Sequence, residues 1–126
     1  MLTWIFVVLA IYYIGLFLPS HLLLPRIGIP AYVGSRDADP EPHPVHARAI
    51  RAHRNLLENL APFLGLAVLA LLLPGADGAA AARGAMIFAV ARAVYLPLYL
   101  AAVPWLRSLS WTVGFVGLAM MALALV

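Results

Sequence analysis

Apolar positions run along this chain in four long blocks, Leu2 to Leu24, Leu56 to Leu73, Ala79 to Leu106 and Leu109 to Val126. A bilayer-spanning helix needs about 20 mostly apolar residues. The blocks therefore predict four transmembrane helices at about 2–24, 46–73, 79–103 and 109–126, which nearly exhaust the chain. The first block has no Lys or Arg before it and no small-residue cleavage site after Phe17, so it reads as a retained helix rather than a signal peptide.

Polar residues fill the intervals. The interval from 25 to 45, "PRIGIPAYVGSRDADPEPHPV", holds five prolines and two glycines, a composition expected to prevent a continuous helix, and "PEPHP" should be extended. "LPGADGAA" reads as a tight turn with Gly75 and Gly78 as helix stops, and "PWLRSLS" as a second short connection.

Polar positions also invade the second block. In "RAIRAHRNLLEN", residues 48–59, a helix of about 100° per residue places Arg48, Arg51, Arg54, Asn55, Glu58 and Asn59 within an arc of roughly 140°, with His53 pointing away. A charge inside a span costs roughly 2.5–3.5 kcal/mol on insertion scales, so such groups face protein or a water-filled cavity and are paired. Pairing of Arg51 and Arg54 with Glu58, and snorkelling of Arg48, would explain one acid and two bases on structural grounds alone. Basic charge and two amides are left over.

The third block carries a second polar line. Arg92, Tyr95 and Tyr99 at i, i+3 and i+7 lie within roughly 60° of one another. Arg92 is the most central charge in any span, and Glu58 is its expected partner if the second and third helices adjoin. Pro62 and Pro97 each remove a backbone donor next to these groups and should kink their helices, opening room for a ligand.

Composition agrees with the pattern. Of 126 residues, 65% are hydrophobic and 10% charged, which places the chain in the membrane class as a single domain, 1–126. There is no cysteine, so the chain has no disulfide, no thiolate nucleophile and no cysteine metal site; sulfur chemistry would have to come from a ligand. His43 and His46 lack neighbouring acids, and no metal is expected. All eight basic residues are arginine. They sit at or inside span ends rather than on one basic face, which argues against nucleic acid; arginine forks suit carboxylates. Arg26, Arg36, Arg48, Arg51, Arg54 and Arg107 share one side of the membrane and only Arg83 marks the other, so the long loop is expected in the cytoplasm with both termini outside. Trp4 at one end, and Tyr32 and Trp105 at the other, suit aromatic belts.

"RAIRAHRNLLENLAPF", then "ARAVYLPLYL" about 30 residues on, then "LRSLSW", together resemble the MAPEG proteins, the membrane-associated proteins in eicosanoid and glutathione metabolism. The resemblance runs from about Pro25 to the end; R-x-x-R-A-x-x-N-x-x-E and R-x-x-Y-x-x-x-Y agree in order and spacing. It implies an all-α integral membrane protein, a homotrimer of four-helix bundles with glutathione between protomers near the cytoplasmic side. By position, Arg51, Asn55 and Glu58 match the second-helix glutathione contacts and Arg48 a basic residue nearby; Arg92, Tyr95 and Tyr99 match the third-helix positions. Arg107 matches the arginine that stabilises the glutathione thiolate, Ser108 its hydroxyl neighbour, and Arg26 a basic residue at the end of the first helix. Asn59 stands where some members carry an aromatic contact, Trp111 where a tyrosine can occur, and "AAVPW" unsettles the spacing from Tyr99 to Arg107. "GSRDADPEP" resembles the loop of the compact bacterial branch, implying a bacterial inner membrane.

Three readings follow. The first is a glutathione-dependent transferase or peroxidase acting on lipophilic electrophiles that enter from the bilayer, with a cation beside the sulfur supplying the thiolate. The second is a lipid- or anion-binding or scaffold protein of the same fold that catalyses nothing. The third is a small exporter, which the absence of an acid in the first span disfavours.

Overall fold

The computed structural model describes residues 1–35 and 43–126. Four helices follow one another up and down: α1 (Leu2–Val33), α2 (Pro44–Leu72), α3 (Gly78–Leu100) and α4 (Pro104–Leu123). Each is long and apolar enough to cross a membrane. The alternation puts the α1–α2 loop and the α3–α4 turn at one end of the bundle, and both termini at the other. Arg36 and most of the "PEPHP" stretch fall outside the described residues.

The helix ends have local causes. Pro44 and Pro104 occupy first-turn positions, where the missing N–H costs nothing. Asp77 caps α3, accepting from the N–H of Ala79 at 3.0 Å and of Ala80 at 2.9 Å. Its own N–H donates to the Ala124 carbonyl at 2.8 Å, which ties the start of α3 to the end of α4.

Helix α1 departs from expectation. It continues past Leu24 to Val33 with Pro19 and Pro25 inside it, and breaks instead at Gly28 (φ 75°, ψ 164°). That backbone region is essentially reserved for glycine. A proline inside a membrane helix is tolerated where neighbouring groups take up the freed backbone carbonyl, and here Pro19 and Pro25 do not end the helix.

Helix α4 packs on α3 and touches α2 but not α1. The α3·α4 pair is the most extensive. Its closeness comes from Gly84 and Gly117: a Cβ built on either would lie 2.7 Å from the other's carbonyl oxygen. In lipid, where apolar side chains gain little by leaving their solvent, such close backbone approach is what packs helices together. The apolar core joins Val8 and Ile11 of α1, Phe63 and Ala67 of α2, Ala85 and Phe88 of α3, and Met121 of α4. Phe63 and Phe88 stack with centroids 4.8 Å apart.

Candidate functional site

From that stacked pair, α3 carries a column of alternating rings and charge towards the end of the bundle that holds the long loop. The Arg92 guanidinium lies 5.0 Å from the Phe88 ring centre and 5.4 Å from that of Tyr95. Tyr95 and Tyr99 meet edge to face with centroids 5.5 Å apart, and the Arg107 guanidinium caps Tyr99 at 4.8 Å. The spacing 88, 92, 95, 99 is one face of one helix. Cation–π contacts of this kind stabilise by about 2 kcal/mol or more when desolvated.

Arg107 reaches Tyr99 because the turn between α3 and α4 is short. Ala101 to Val103 close it, with Ala102 in the left-handed region (φ 57°) and the Val103 N–H donating to the Leu98 carbonyl at 3.1 Å. The turn thereby brings residues eight positions apart in "YLAAVPWLR" into contact. Pro104 then starts α4, and Arg107 and Ser108 occupy its first turns, where the helix dipole favours an anion.

Arg92 is 2% exposed. Its expected partner was Glu58; the structure pairs it instead with Asn55, the Arg92 Nη1 donating to Asn55 Oδ1 at 2.7 Å. The reason is angular. Asn55 lies at the inner edge of the α2 polar arc, beside buried Ala52 and Leu56, whereas Glu58 is turned about 60° further out. There Glu58 meets Arg54 of its own helix at 3.6 Å, with side chains 58% and 80% exposed. A guanidinium only donates, so it holds the amide oxygen of Asn55 and leaves the NH2 as the free donor.

Asn55 lines an open-sided cavity of about 380 Å³ between α2, α3 and α4, together with Tyr95, Tyr99, Arg107 and Ser108. Five of the nine residues singled out in the sequence thus converge. Trp111 and Thr112 complete the wall. Thr112 was not singled out; its place one turn beyond Ser108, on the same face of α4, is the signal that would have found it, and its Oγ1 donates to the Ser108 carbonyl at 3.1 Å. Of the other four, Arg92 stands behind the cavity as the support of Asn55. Arg51 and Glu58 are exposed, and Arg48 is half-buried with its Nε lacking a hydrogen-bond partner. Arg26 is exposed beyond the end of the first span block. Asn59 spends its amide on its own helix, donating to the Asn55 carbonyl at 2.8 Å.

A larger groove of about 530 Å³ runs along the opposite side of the α3–α4 pair. Its lining is apolar except for Ser110, whose hydroxyl donates to the Ala91 carbonyl at 2.7 Å and is thereby satisfied. It offers no group for chemistry. Among the described residues, no three His, Asp or Glu side chains gather as metal ligands do.

A model of the MAPEG family matches residues 1–126, the whole chain. No curated protein and no solved structure was found to match it.

Proposed function

The chain belongs to the MAPEG family, and on that premise we propose that it is a membrane-bound glutathione transferase or peroxidase whose glutathione lies in the cavity between α2, α3 and α4. The observation that carries the reading is the convergence of Asn55, Tyr95, Tyr99, Arg107 and Ser108 on one open-sided space. Its volume is in the range of small-molecule sites. The amide NH2 of Asn55 and the two phenol hydroxyls are donors for the peptide's carbonyl and carboxylate oxygens.

The chemistry falls to Arg107. A thiolate attacks an electrophile and a thiol does not, so a fixed guanidinium beside the sulfur lowers the thiol pKa and supplies the reactive form. The start of α4 adds its dipole in the same sense, and Ser108 offers a hydroxyl to the same anion. Attack of the thiolate on an electrophilic carbon forms the carbon–sulfur bond and releases the leaving group to the bulk. A lipophilic substrate arrives from the bilayer through the open side and is aligned with the sulfur by binding.

In this reading the outward groups of α2 complete the site from a neighbouring protomer, in a homotrimer. The support is that Arg51 and Glu58 stand exposed on a membrane helix, where charges ordinarily face protein or a water-filled cavity. Glu58 would take the ammonium of the peptide, and Arg48 and Arg51 a carboxylate. The positive-inside pattern supports a cytoplasmic location for this end of the bundle, in a bacterial inner membrane.

Calorimetric titration of the purified protein with glutathione tests the reading, paired with turnover of a model aryl halide and a lipid hydroperoxide by Arg107→Ala. The expected result is binding in both proteins and a rate loss of about 100-fold in the variant, the effect of removing one charge-stabilising donor. Binding without any turnover in either protein would favour the second reading, a ligand-holding membrane protein that catalyses nothing.

A further inference from the structure

A second, far smaller void lies behind Asn55, where α1, α2 and α3 meet. Ile11 and Gly15 bound it from α1, His53 and Leu56 from α2, and Arg92 and Tyr95 from α3. Its volume, about 10 Å³, is close to that of one water probe. Nothing larger than a water would enter.

Two of the residues that bound it carry buried polar atoms that lack a partner: His53 Nδ1, and Nε and Nη2 of Arg92, of which Nε lies on the α4 side, 3.7 Å from a Cβ built on Gly114. Buried polar atoms are nearly always hydrogen-bonded, to protein or to ordered water. The two sides are also complementary. Arg92 can only donate, while Nδ1 accepts in an imidazole protonated on Nε2. A water does both, accepting from the guanidinium and donating to the ring. The aromatic faces of Phe88 and Tyr95 attract the charge of Arg92 but do not satisfy its in-plane N–H groups.

Gly15 fits the same account. A Cβ there would stand 2.9 Å from His53 Nδ1, so a methyl would fill the room beside the acceptor. The His53 ring is held in place by Tyr12, with centroids 5.3 Å apart.

We propose that one ordered water occupies this void and joins His53 Nδ1 to Arg92, so that His53, water, Arg92 and Asn55 form a single hydrogen-bonded line ending at the amide that faces the cavity. His53, which points away from the polar stripe, is then a positioning residue: it fixes the guanidinium, and the guanidinium fixes Asn55. The positioning role rests on the reading of the cavity as a glutathione site; the water does not.

The test has two arms, run on the full-length protein in nanodiscs. In the first, the imidazole 15N resonances of histidine-labelled protein are assigned by their loss in His53→Phe. A His53 Nδ1 shifted as a hydrogen-bonded imine nitrogen, with the proton on Nε2, is expected, and the shift of an unbonded nitrogen overturns the water. In the second, glutathione is titrated calorimetrically into the wild type, His53→Phe, His53→Gln and Gly15→Ala. The Phe and Ala variants are expected to bind about tenfold more weakly, the effect of one lost charge-assisted hydrogen bond. His53→Gln keeps an acceptor and is expected to stay within about threefold. Equal affinity of wild type and His53→Phe overturns the positioning role. If the wild type itself does not bind glutathione, the cavity reading fails, and the resonance of His53 still decides the water.

Discussion

Asn55 and Glu58 lie less than one turn apart on α2, yet the first is bonded to a buried arginine of another helix while the second pairs only with its own neighbour, Arg54. The inner edge of the polar face is braced within one chain: Asn55 with Arg92, Arg92 with the Phe88 and Tyr95 rings, Tyr99 with Arg107. Along the outer edge, Arg51, Arg54 and Glu58 are exposed on a membrane helix. Lipid does not solvate charge, and charged groups on membrane helices ordinarily face protein or a water-filled cavity, which is the ground for the proposed neighbouring protomer. One amphipathic face thus does two jobs, half bracing the protomer and half offered outward.

The largest effect is expected at the α3–α4 pair that holds the inner edge together. Gly117→Val puts a branched side chain where even a methyl carbon would lie 2.7 Å from the Gly84 carbonyl oxygen and 2.8 Å from the Phe88 nitrogen. Overpacking against backbone is expected to cost about 3 kcal/mol, read as a large fall in melting temperature in detergent. Both binding and turnover should be lost with it.

A smaller effect separates the two edges. Asn55→Ala removes the hydrogen bond that, among the described residues, the protein itself gives a guanidinium that is 2% exposed. The expected loss is about 2 kcal/mol of stability from the stranded donor, together with weaker glutathione binding. Denaturant titration of the variant beside wild type gives the first quantity, and calorimetry the second.

The smallest effect on the fold is expected at Glu58→Gln. The pair it breaks is 3.6 Å long and largely exposed, and exposed pairs of this kind contribute under about 1 kcal/mol. Its melting temperature should stay close to wild type while glutathione affinity falls. A variant that lost stability as much as Asn55→Ala would show that the two edges are not different in kind.

Much of this arrangement was legible in the sequence because membrane spans and helical faces are periodic. The four spans followed from the apolar blocks, and the line of Arg92, Tyr95 and Tyr99 followed from a spacing that any helix obeys. What periodicity could not give was contact between helices. The angular arc grouped Asn55 with Glu58, and only the packing of α2 on α3 showed that Arg92 takes the amide and leaves the acid. Thr112 escaped notice for the same reason: its wall exists only once the α3–α4 turn places α4 over Tyr99. The reach of α1 was less legible: Pro19 and Pro25 do not end it, and the interruption inside the proline- and glycine-rich interval falls at Gly28, the residue that can take a positive φ.

The proposed function turns on whether the cavity between α2, α3 and α4 holds glutathione with its sulfur at Arg107. A cryo-EM map of the protein in nanodiscs with saturating glutathione tests it directly. Tripeptide density is expected to span Asn55 and Tyr99, with the sulfur beside the Arg107 guanidinium. Density in the apolar groove on the far side of α3 and α4, or a cavity that stays empty at saturation, would contradict it.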